Sequence, residues 1–199
     1  MEYLGIIIGQ GLVHMDPAKL ATIRDWHSLS SVKGVHPFLR FANFYRKFIP
    51  NYSNIVAPIV LLTHKDHPWT WTEPQQKAFD SLCAILLSAP VLGIPDVSHP
   101  FLLMTDASLL MAGAVLMQPD TSSDLHPYAY FSKTFSAAEC NYDIYDRELL
   151  AVILALAEWK QYLQGTSHPV SVLTDHKNLS YLKDLCKLSC RQAHWSLFL

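Results

Sequence analysis

Between His99 and Asp175 the hydrophobic pattern changes period twice, and that change restricts the possible folds more than any other feature of the chain. Three apolar runs, at residues 101–106, 113–118 and 128–133, are separated by turn residues and read as strands. From about residue 138 to residue 163 the apolar positions recur at helical spacing, and the pattern breaks at Gly165. Residues 170–175 form a fourth strand-like run and residues 178–185 a short helix. Strand, strand, strand, helix, strand, helix predicts an α/β domain: a mixed β-sheet with helices packed on it.

The chain before residue 96 reads differently. Residues 2–8 suggest a short strand, with Gln10 and Gly11 as the turn out of it. Asp16-Pro17 opens a helix, because Asp16 can cap free amides and proline at the first helical position loses no hydrogen bond. Leu20, Ile23 and Trp26 would be its buried stripe. A second helix carries Phe38, Leu39, Phe41, Ala42, Tyr45, Phe48 and Ile49, with Pro37 expected at its start. Phe41, Phe44, Tyr45 and Phe48 are expected in its core. A third helix follows from about residue 53 to residue 62, and Thr72 with Gln75 forms a capping box for a fourth. The chain therefore divides into a small helical region, 1–95, and an α/β domain, 96–199.

Composition narrows the function classes. Half of the residues are hydrophobic and 16% are charged, which supports a real core. The longest apolar runs fall far short of the ~20 residues of a membrane span, and the N-terminus lacks a basic region and cleavage signal. An intracellular protein without a membrane partner is expected, in cytoplasm or nucleus. Fifteen Lys and Arg against seventeen Asp and Glu leave a formal charge of −2, so any nucleic-acid contact has to come from local patches. The four cysteines include no CxxC pair, and Cys186, Cys190 and His194 lack a fourth ligand at the usual zinc spacing.

Three acids stand out. Asp106 ends an almost continuous apolar run, Glu148 sits inside an apolar helix beside Leu149 and Leu150, and Asp175 closes the fourth strand. A carboxylate buried without a partner is costly, and Mg²⁺ prefers oxygen ligands, so convergence of the three would suit a magnesium site for phosphodiester hydrolysis. From pattern alone the same acids also suit a turn and a solvated helix face. Arg40 and Lys47 are seven apart, and Lys183, Lys187 and Arg191 four apart; these are candidate phosphate-binding stripes.

Four blocks follow one another in a set order: Phe101-Leu102-Leu103-Met104-Thr105-Asp106-Ala107-Ser108, Gly113-Ala114-Val115-Leu116, Glu148-Leu149-Leu150-Ala151 and Thr174-Asp175-His176-Lys177-Asn178-Leu179. Their order and spacing resemble the RNase H domain of a gypsy-type LTR retrotransposon reverse transcriptase. Glu2-Tyr3-Leu4-Gly5, Met15-Asp16-Pro17 and Phe41-Ala42-Asn43-Phe44-Tyr45-Arg46-Lys47-Phe48-Ile49 resemble that family's primer-positioning strand and thumb. Trp71, Ala78-Phe79 and Ala89-Pro90-Val91-Leu92 resemble its connection.

The resemblance implies a thumb and connection over 1–95, and an RNase H-like domain with strand order 3-2-1-4 over 96–199. It implies Asp106, Glu148 and Asp175 as catalytic ligands of Mg²⁺, with Mn²⁺ as a substitute; His176, by its position directly after Asp175, is a candidate assisting residue or a structural histidine. The expected activity is two-metal hydrolysis of the RNA strand of an RNA:DNA hybrid. The family's polymerase palm would lie before Met1, and its fourth RNase H aspartate, with the closing strand, beyond Leu199. The expectation is therefore an RNase H-type nuclease impaired by that missing ligand, with no polymerase site and a palm and fingers as further partners. The alternative is a catalytically silent relic or a co-opted nucleic-acid- or protein-binding module.

Overall fold

A computed structural model describes residues 1–3, 5–9, 11–26, 29–65, 67–88, 90–119, 124–175 and 189–195. The chain packs as two compact units, Met1–Ile94 and Pro95–Leu199.

In the first unit, β1 (Glu2–Tyr3), β2 (Ile6–Gly9), β3 (Leu12–Met15) and, later in the chain, β4 (Leu92–Gly93) form an antiparallel sheet in that order. The single strand expected over 2–8 is thus a hairpin, turned at Gly5 with φ of 81°, a conformation open to glycine. The α1 helix (Pro17–Arg24) begins as expected, with Asp16 Oδ1 accepting from the Ala18 amide at 2.8 Å. The α2 helix (Val32–Phe44) starts five residues before Pro37. Ser31 Oγ accepts from the Gly34 amide and provides the cap. Val35 and Phe38, both fully buried, hold the helix through the proline, whose ring faces solvent. The helix ends at Phe44, and a 3₁₀ turn, Arg46–Phe48, follows.

The buried stripe of α2 and this turn is Val35, Phe38, Ala42, Tyr45 and Phe48, continuing into Ile49. Phe44, expected in the core, is 51% exposed. One residue is about 100° around a helix, so burying Tyr45 turns Phe44 outward. Tyr45 Oη donates to the Gly5 carbonyl at 2.9 Å and ties the hairpin to the end of α2. The α3 helix (Tyr52–Leu61) and α4 (Glu73–Leu87) complete the unit. At the start of α4 the Thr72 amide donates to Gln75 Oε1, as the capping box requires.

The second unit is a four-stranded mixed sheet. Its strands are β5 (Leu102–Ala107), β6 (Met111–Pro119), β7 (Leu125–Thr134) and β8 (Ser171–Thr174), in the order β7-β6-β5-β8. This is the expected 3-2-1-4 order. β6 is antiparallel to both neighbours, and β5 runs parallel to β8. The helix expected over 138–163 is instead three: α5 (Ala137–Cys140), α6 (Ile144–Glu158) and α7 (Lys160–Leu163). The break is chemical, because Asp143 Oδ1 accepts from the Asp146 amide at 2.7 Å and starts a new helix there. α6 lies on the sheet through Ala151, which clusters with Ala112 of β6, and through Ala155 and the C-capping Trp159, which pack with Leu103 and Leu116 of the two central strands. A short helix, α8 (Cys190–Trp195), packs on α6. The helix expected over 178–185 lies outside the described residues.

Candidate metal centre

The register of β5 and β8 builds the site. Leu102 to Thr105 pair in parallel with Ser171 to Thr174, so Asp106 and Asp175 come next to each other where the ladder stops. Leu103 and Thr105 face the helices, while Met104 and Asp106 face solvent. Asp106 thus shares a face with Met104, as period-two alternation along the strand requires. Past the end of β8 the Ala107 amide has a side-chain acceptor: it donates to Glu148 Oε1 at 3.3 Å. α6 thus brings Glu148 up to the same strand end.

Asp106, Glu148 and Asp175 each offer a carboxylate oxygen, and these oxygens lie within 4.8 Å of one another. Only Glu148 is buried, at 2% exposure; both aspartates are exposed. The cost of burying a charge therefore falls on Glu148 alone of the three. Burial raises the Glu148 carboxyl from its ordinary 4.5 to about 7, and the Asp175 charge adds to this. The Ala107 N–H opposes the rise, the Asp106 charge supports it, and the Thr174 hydroxyl opposes it. Glu148 Oε2 is buried with no hydrogen-bond donor among the described residues. An all-oxygen donor set around an unpartnered buried carboxylate oxygen fits a hard divalent cation.

The basic candidates fare differently. Arg40 and Lys47 are both exposed, but α2 stops at Phe44 and Lys47 sits in the 3₁₀ turn, so helical spacing does not relate them. Between Trp26 and Lys65 the sequence holds no Asp or Glu and five cationic residues: Lys33, Arg40, Arg46, Lys47 and Lys65. That acid-free stretch, carrying α2 and α3, was legible in the sequence and is more telling than the net charge. Arg191 is paired within the chain although it remains partly exposed: its Nη1 donates to Asp146 Oδ2 at 2.6 Å, and its guanidinium lies 3.6 Å from the Tyr142 ring centroid. Asp146, buried with 6% exposure, was not singled out from the sequence; its partners lie 45 and 46 residues away and leave no local signal. His176, Lys183, Lys187 and Cys186 lie outside the described residues.

The family described as an RNase H-like domain found in reverse transcriptase matches residues 71–172. The chain belongs to this family. The match begins in the first unit, at Trp71 just ahead of α4, and runs through β5, β6, β7 and α6 to the middle of β8. The Tf2-3 and Tf2-4 transposon polyproteins of Schizosaccharomyces pombe are each 38% identical over 179 residues, 89% of this chain. These are gypsy-type retrotransposon products, and the chain spans 13% of their length. Two solved foamy viral protease–reverse transcriptases share the fold at 22% identity. The one in complex with dsDNA gives a TM-score of 0.79 over 100% of this chain and 42% of its own. The one in complex with an RNA/DNA hybrid gives 0.75 over 98% and 27%. Among the described residues no helix is long and apolar enough to cross a membrane.

Proposed function

We propose that this reverse-transcriptase segment carries a thumb and connection over residues 1–95 and an RNase H domain over 96–199, and that it hydrolyses the RNA strand of RNA:DNA hybrids with divalent metal. The observation that carries this reading is the convergence of Asp106, Glu148 and Asp175 around a buried, unpartnered Glu148 oxygen.

The three carboxylates would hold Mg²⁺, or Mn²⁺ in its place, which when bound supplies charge neutralisation and Lewis acidity for phosphodiester cleavage. Each residue has a distinct task. Asp106 and Asp175 present their oxygens on the solvent side, where a phosphodiester can approach. Glu148 is fixed by the Ala107 amide through Oε1, which leaves Oε2 for the cation. Its raised pKa means that near neutral pH it is only partly ionised until a cation favours the charged form.

Arg40 and Lys47, in the acid-free stretch, suit phosphate contacts that position a duplex without reading its sequence. The related folds solved with dsDNA and with a hybrid support nucleic acid as the ligand. Preference for a hybrid would come from groove shape and 2′-hydroxyl contacts. The test is incubation of the chain with a hybrid labelled on its RNA strand, in Mg²⁺ or Mn²⁺. Release of RNA fragments, lost in Asp106→Asn and Asp175→Asn, is expected. Hybrid binding without cleavage in either cation would make the chain a binding module instead.

A further inference from the structure

Glu148 can serve a metal centre only if the first two turns of α6 stay pressed against β5, and a second set of contacts on the far side of α6 does this. Asp146 lies two residues before Glu148, about 200° around the helix, so it points away from the sheet. There it meets α8. Arg191 Nη1 donates to Asp146 Oδ2 at 2.6 Å, and Gln192 Nε2 donates to Oδ1 at 2.8 Å. Both carboxylate oxygens are therefore taken, and Asp146 is withheld from the metal centre.

The guanidinium of Arg191 stacks 3.6 Å from the Tyr142 centroid and lies 5.8 Å from that of Trp195. Trp195 is buried in a cluster with Leu149, Leu150, Ala112 and Phe135, and Ala107 packs against that cluster. One short helix thus grips the start of α6 by charge and by an aromatic wedge. Directly across the helix, Glu148 takes the Ala107 amide.

We propose that Arg191 is a positioning residue for Glu148: its clasp on Asp146 holds α6 against β5 and so sets the carboxylate where Asp106 and Asp175 converge. The metal arm of the test rests on the proposed function; the amide arm does not. Planar, bidentate-capable guanidinium stacked on a ring is not matched by an ammonium, so charge alone does not replace it.

The test uses the full chain with Arg191→Met, Arg191→Lys and the double variant Asp146→Asn/Arg191→Met. The single Met variant leaves the Asp146 charge buried without its cation, held only by Gln192, and will be destabilised; the double variant removes that stranded charge and keeps the fold. In the double variant the Ala107 amide is expected to exchange about 10-fold faster than in the wild type, with the β5–β6 ladder amides unchanged. Arg191→Lys should fall between the two. Magnesium affinity, measured by heat of binding, should drop about 10- to 100-fold in the double variant although its thermal midpoint is near wild type. Wild-type Ala107 protection in the double variant would overturn the proposal and leave the clasp as a stabilising contact only. If wild-type protein binds no Mg²⁺, the metal reading falls, and the amide exchange still decides the role of Arg191.

Discussion

Asp106 and Asp175 immediately follow Thr105 and Thr174, the last register pair of the parallel β5–β8 ladder. Two carboxylates side by side at a strand end repel, and the third, Glu148, is buried beside them. The arrangement is electrostatically frustrated in the absence of a cation, which is why it points to a ligand rather than to stability. Asp106→Asn, Glu148→Gln and Asp175→Asn should each weaken Mg²⁺ binding at least about 10-fold, by analogy with the loss of groups that only support a metal ligand. Isothermal titration of the three variants checks this. Unchanged affinity in all three would remove the metal centre.

The Glu148 carboxyl also makes a pH prediction. Its folded pKa is about 7 against an ordinary value of 4.5, so the folded state binds more protons than the unfolded state between those values. Stability from this group is complete below about pH 4.5, is lost as pH rises through about 7, and is flat once the carboxyl is fully ionised in both states. The loss has an upper bound of ~3 kcal/mol. Urea midpoints of wild type and Glu148→Gln across this window should diverge, because the variant lacks the decline. Saturating Mg²⁺ should reduce the decline in the wild type.

In the first unit, Phe38 and Phe44 lie six residues apart on one helix yet have opposite environments. Phe38 is fully buried against Trp26 and Phe79, whereas Phe44 is half exposed. Phe38→Ala should cost ~3–5 kcal/mol. Phe44→Ala should cost much less, within about 1 kcal/mol, since little apolar surface leaves the core. Thermal melts of the two variants distinguish them, and equal losses would contradict the assigned face of α2.

These contrasts show what the sequence could and could not convey. The strands β5 to β8 and their order were legible because ordered motif blocks, including Phe101 to Ser108 and Thr174-Asp175, constrain one another across the chain. The convergence of Asp106, Glu148 and Asp175 followed from that topology. Period-two alternation grouped Asp106 with Leu102 and Met104, but which face of β5 meets the helices was not legible, since Leu102, Leu103 and Met104 are all apolar. Pro37 misled because a local penalty was weighed without the Ser31 cap and the burial of Val35 and Phe38. β3 escaped notice because four residues, Leu12 to Met15, show too short an alternation to detect. Arg191 was read as part of a phosphate-binding stripe because its partner Asp146 is brought to it only by tertiary packing.

The last prediction concerns the acid-free stretch. With no Asp or Glu between Trp26 and Lys65, its positive charges are not offset from within the stretch, although the whole chain is net negative. Arg40 and Lys47 are exposed there. If they contact phosphates, each contact releases counterions from the duplex, and log K should fall with log salt by about 0.9 per contact. Arg40→Ala and Lys47→Ala should therefore weaken hybrid binding uniformly across sequences and flatten the salt dependence by about one contact each. Hydrolysis chemistry should be untouched, so the defect belongs in substrate affinity and should be relieved at low salt. Fluorescence anisotropy with a labelled hybrid, repeated over a salt series, measures both quantities. An unchanged slope when Arg40→Ala and Lys47→Ala are combined would mean that α2 and its following turn do not carry the nucleic acid.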